Sequence, residues 1–102
     1  MKLILKPNEM ILMAGNSNLL QKDMNIQGKL IVTNQRIYFI TLKDEYRYCD
    51  KEIIPEEISD LIYFKTHWLM SNGMKIVTKS GDEHPFVLKN RNEWSRLITK
   101  MF

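Results

Sequence analysis

The stretch Gly28-Lys29-Leu30-Ile31-Val32-Thr33-Asn34-Gln35-Arg36-Ile37-Tyr38-Phe39-Ile40 limits the fold more than any other part of the chain. After Lys29 it is apolar on both sides of one short polar break, Thr33 to Arg36. Leu30 and Val32 alternate with Ile31 and Thr33; beyond the break, Ile37 and Phe39 alternate with Tyr38 and Ile40. In extended chain, alternate residues point to opposite faces. Apolar residues on both faces require two consecutive strands in a covered part of a sheet, with the polar break as their turn.

The rest of the chain extends this pattern. Turn signals recur at short intervals: Pro7-Asn8, Gly15 to Asn18, Asn25 to Gly28, Lys43 to Glu45, Ser71 to Gly73, and Ser80 to Asp82. Between them lie runs rich in Ile, Val, Leu, Tyr, Phe and Thr, the composition of an all-β meander closing into a barrel or sandwich. A second hairpin joins Met74 to Thr78 with Phe86 to Leu88 through a turn at Lys79 to Glu83. Pro85 opens its return strand, a place where a missing backbone donor is tolerated. Ile53 to Phe64 reads as a strand, a proline-led turn and a second strand. A short helix over Pro55 to Asp60 is the open alternative, since proline fits a first helical turn.

The period changes near the end. Trp94, Leu97, Ile98 and Met101 fall at i, i+3, i+4 and i+7, one apolar stripe on a helix. Asn90 reads as its N-cap and Glu93 as the capping-box partner. Such a helix should lie on the sheet or plug one end of a barrel.

At 102 residues the chain reads as one domain, 1–102. Cys49 is the only cysteine, so no internal disulfide can form and a reducing, cytoplasmic setting is expected. The opening Met1 to Pro7 does not read as a signal peptide. No run approaches the roughly 20 apolar residues of a spanning helix, so any membrane contact should be peripheral. A net charge of +3 permits anionic partners without demanding them.

These residues resemble a known family. Gly28 to Ile40, with an apolar strand ending in Thr33, a two-residue break, Arg36 and an apolar-aromatic strand, is similar to the signature of GRAM domains, small members of the pleckstrin-homology-like superfamily. Asn8-Glu9 with Ile11-Leu12, Ile54-Pro55 with Ile58, the hairpin with Gly81 and Phe86, and Trp94 to Ile98 resemble successive parts of the same family. The resemblance implies a mainly β, PH-like split barrel of about seven antiparallel strands capped by one C-terminal α-helix, a strand count the turn signals also support. It implies that a phosphate site, where relatives have one, lies at the open barrel end. The corresponding loops carry Lys22 and Asp23; Lys43, Asp44 and Glu45; Lys79, Asp82 and Glu83. The signs are mixed, whereas a headgroup site should be a basic cluster.

No catalytic constellation is legible. His67 and His84 lie far apart without a second ligand at metal spacing. Cys49 has no nucleophile signature around it, and the acidic pairs Glu56-Glu57 and Asp82-Glu83 sit on turns. Tyr46-Arg47-Tyr48 could stack bases, but an ordinary strand with alternating faces explains it better; no nucleic-acid partner is expected. No enzyme, metal or cofactor is expected either. The expected function is docking of a protein or peptide, a homodimer included, with anionic-membrane contact as the alternative. For docking, the candidate residues are Trp68, Leu69 and Met70, read either as a surface patch or as a core-facing strand. For an anionic lipid surface they are Lys22, Lys29, Arg36 and Lys43. Arg36 also reads as a structural arginine whose fork bonds neighbouring carbonyls.

Overall fold

The computed structural model describes residues 3–66 and 70–102. Seven strands follow in order: β1 (Ile11–Gln21), β2 (Met24–Thr33), β3 (Ile37–Thr41), β4 (Lys51–Ile53), β5 (Ile58–Thr66), β6 (Met70–Thr78) and β7 (Glu83–Leu88). Helix α1 (Arg91–Thr99) closes the chain. All pairings are antiparallel, and the sheet order is β4-β3-β2-β1-β7-β6-β5. The expected mainly β plan is therefore observed. Leu30 pairs with Phe39 and Val32 with Ile37, so the opening stretch forms the hairpin its pattern dictates.

The sheet curls until distant strands touch. Phe39 of β3 and Phe86 of β7 have ring centroids 5.5 Å apart, although β2 and β1 lie between them in the sheet. Three strand spacings in a flat sheet would span about 14 Å. Gly28 on β2 makes the inward approach possible: a Cβ there would lie 2.5 Å from both the Ile40 carbonyl oxygen and the Phe39 ring. The resulting core gathers Leu30, Val32, Ile37 and Phe39 against Met74, Ile76 and Phe86. Trp94 and Ile98 of α1 are buried in it, and Leu97 and Met101 pack at its margin, so the helical stripe does what its spacing predicts.

Several local expectations change and one is settled. The turns read at Gly15 to Asn18, Asn25 to Gly28 and Ser71 to Gly73 lie inside β1, β2 and β6, where ladder pairing overrides the turn-forming residues. Tyr46 to Tyr48 is not a strand but part of a 3₁₀ segment, Asp44–Cys49. Short-range bonds explain this: Arg47 Nη2 donates to Asp44 Oδ1 at 2.6 Å and Nη1 to the Thr41 carbonyl at 2.8 Å. Pro55 leads a single 3₁₀ turn, Pro55–Glu57, and strand geometry resumes at Ile58, which settles the two readings of that segment in favour of strand–turn–strand. Asn90 does precede α1, but it makes no side-chain cap. Its backbone is left-handed, φ 57°, and its carbonyl accepts from the N–H of Glu93 at 2.9 Å. The chain has to turn sharply off β7, and asparagine tolerates that conformation better than most residues.

Gly28→Ala should destabilise the protein by about 1–3 kcal/mol, the cost of forcing a methyl group into a packed core. Urea unfolding checks this, with a lowered midpoint and unchanged slope expected.

Candidate functional site

Arg36 is held inside the protein. Its Nε and Nη2 donate to Oε2 and Oε1 of Glu9, both at 2.7 Å. Nη2 also donates to the Ile4 carbonyl at 2.9 Å, and Nη1 to the Tyr38 hydroxyl. Glu52 stands 3.5 Å from Nη1. The guanidinium lies 4.4 Å from the Tyr38 ring centroid. Glu9 accepts two further bonds, from Thr33 Oγ1 at 2.6 Å and the Lys6 N–H at 2.8 Å. Asn34 and Gln35, the rest of the polar break, donate to the Asn8 and Pro7 carbonyls at 3.0 Å. The break thus ties the segment before β1 onto the sheet. Its donors being occupied, Arg36 is the structural arginine of the two readings and presents no free fork to a lipid surface. The bonds from Arg36 hold the Glu9 carboxyl at about 2, against the opposing effect of burial.

The other three candidate cations are exposed and lie apart. Antiparallel alternation puts the β1–β2, β3–β4 and β6–β7 connections at one end of the curled sheet. Lys22, in the β1–β2 turn with φ 54°, borders a recess of about 490 Å³ together with Lys51, Asp82, Glu83 and His84. Its charges are mixed, and burial followed by the nearby Lys51 pushes the His84 imidazole down. Lys43 borders a separate recess with Asn18, Asn25, Gln27 and Tyr46. Lys29 faces outward from β2 into a third, beside Leu3, Ile31, Ile40, Leu42 and Arg47. Trp68 and Leu69 lie outside the described residues; Met70 opens β6.

A feature no sequence signal announced is a slot along β1. Every part of β1 has β2 beside it, from Ile11 opposite Thr33 to Gln21 opposite Met24. On its other side β7 pairs only at Ser17, Asn18 and Leu19. Continued upward, that register would set Asn16 against Lys89 and Gly15 against Asn90. The left-handed backbone at Asn90 diverts the chain into α1 instead. Among the described strands, residues 11–16 of β1 therefore have no ladder partner on this side. The space left is about 450 Å³, walled by residues 13–18 of β1, Asn72 of β6 and the Leu88 to Asn90 turn, with Trp94 beside Gly15.

Solved structures match this architecture along nearly the whole chain. The Vps36 N-terminal PH domain superposes with a TM-score of 0.71 at 14% identity, covering 96% of this chain and 82% of that one. The chain has a pleckstrin-homology-like fold. Two further matches agree: the C-terminal domain of an unknown protein from Leishmania infantum (TM-score 0.77, 21% identity, 93% and 86% covered) and the linker-DH/PH domains of p115-RhoGEF (0.71, 12%, 94% and 30%). No protein-family model and no curated protein matches the chain. Within this PH-like frame, no group of three or more His, Cys, Asp or Glu suited to a metal occurs among the described residues. Cys49 is fully buried, with the Gln21 amide donating to its Sγ at 3.6 Å. No described helix is long and apolar enough to cross a membrane.

Glu9 contributes stability above its ordinary value of 4.5, and this is lost as pH falls toward about 2. Glu9→Gln should therefore be less stable than the parent at neutral pH, with the gap closing between pH 4.5 and about 2. Thermal unfolding of both proteins across that range checks it.

Proposed function

We propose that this chain is a GRAM-type, non-catalytic binding module that docks a protein or peptide partner, a second copy of itself included. The observation that carries the reading is the slot beside β1: a concave surface with main-chain groups on one wall, amide side chains around it and an aromatic residue at its base. Ligand sites commonly combine an apolar floor with a few convergent polar groups. The solved neighbours include PH domains, a fold that serves as a binding module for proteins or lipids. The single, buried Cys49 fits the reducing cytoplasm as its setting.

The second reading, peripheral contact with anionic membranes, has its own observation. Leu42 is 61% exposed and Ile4 82%, and the recess that Leu42 shares with Ile31 and Ile40 is edged by Lys29 and Arg47. Against it stands the separation of Lys22, Lys29 and Lys43 into three recesses, since a headgroup site converges its cations.

Co-sedimentation with vesicles of neutral lipid, and of neutral lipid mixed with phosphatidylserine, separates the two readings. At physiological ionic strength the protein should stay in the supernatant with both. Pelleting with the anionic vesicles alone, abolished by salt, would replace docking with the membrane reading.

A further inference from the structure

The geometry points to an extended peptide as the occupant of the slot, bound as an added strand on β1 where β7 leaves off, with an acidic side chain opposite Lys89. This rests on the docking reading above and names the chemistry of its partner.

The first argument is the main chain. A strand edge offers a row of N–H and C=O groups at fixed spacing, and another extended backbone is the partner that satisfies such a row. Residues 11–16 of β1 offer it on the side away from β2. β7 already uses the adjoining part of that edge, at Ser17 to Leu19, so the twist and spacing for an antiparallel neighbour are set. A peptide entering the slot continues an existing ladder instead of starting one.

The second argument is the lining. Asn16 and Asn90 bring amide groups to the walls, which can donate to and accept from a peptide backbone or its polar side chains, while the Asn72 carbonyl oxygen already accepts from Thr66 Oγ1. Trp94 and Met13 offer apolar contact below. Among the described residues of the lining, Lys89 is the one that is ionisable, and it is exposed. A cation with no acid beside it among the described lining residues selects an acidic residue on the ligand. A bilayer does not fit the same space, because a groove one strand wide cannot be met by a flat surface.

The test uses a displayed library of random linear peptides, selected on the folded full chain. The account expects enriched sequences that share an acidic residue within a β-prone run. Lys89→Glu should weaken the best of them about tenfold, the scale of one charge-assisted contact, while Lys22→Glu, at the far end of the sheet, should leave binding unchanged. Amide exchange in the complex should slow at residues 11–16. Peptides that bind Lys89→Glu as tightly, or that protect β5 or the loop end instead, would overturn the slot and leave the docking reading standing. A selection that enriches nothing, joined to pelleting on anionic vesicles, would overturn both.

Discussion

The contact between Phe39 and Phe86 is what the rest of the fold depends on. These rings belong to strands that a flat sheet would keep well apart, and their 5.5 Å separation fixes how tightly the sheet curls. Gly28 supplies the room: any side chain there would strike the Phe39 ring and the Ile40 carbonyl. Once the sheet curls, one core serves both halves, and a single short helix is enough to cover its end. Trp94 and Ile98 fill that end from α1. On the curled sheet β7 pairs with β1 over only three residues before the left-handed backbone at Asn90 turns the chain into α1. The slot beside β1 opens where that turn begins, with Trp94 of the same helix set against Gly15.

The buried pair of Glu9 and Arg36 has a different task. Isolated buried ion pairs seldom add much stability, because desolvation offsets the attraction. This one is fully bonded, with Thr33, Lys6 and Ile4 completing the valences that Arg36 and Glu9 leave open. Together with Asn34 and Gln35 it fastens the segment before β1 to the β2–β3 turn. The polar break in the opening stretch is therefore more than a turn. It is an anchor, and it sets where β1 begins and so where the free part of its edge lies.

Much of this was legible in the sequence. Alternation in Leu30 to Ile40 gave the central hairpin, and the i, i+3, i+4, i+7 spacing of Trp94 to Met101 gave the helix and its buried face. Local pattern failed where local bonds compete with it. Tyr46-Arg47-Tyr48 alternates like a strand, yet Arg47 folds back onto Asp44 and Thr41 and winds the segment into 3₁₀ turns. The partner of Arg36 was out of reach because Glu9 lies 27 residues away, and no local rule joins them. The slot was equally hidden. It depends on where β7 stops, which is decided by the backbone at Asn90; the sequence marks that residue as a helix start but not as a left-handed turn. The expectation for Trp68 and Leu69 falls outside the described residues.

The central claim is that β1 keeps an open edge above Ser17. Residue-resolved amide hydrogen exchange on the free protein tests it most directly. Within residues 11–16, N–H groups bonded to β2 should exchange slowly and those facing the slot quickly, giving an alternating pattern. Ser17 to Leu19, flanked by both β2 and β7, should be protected throughout. Uniform protection across residues 11–16 would contradict the account, because it would mean that another part of the molecule already pairs with this edge.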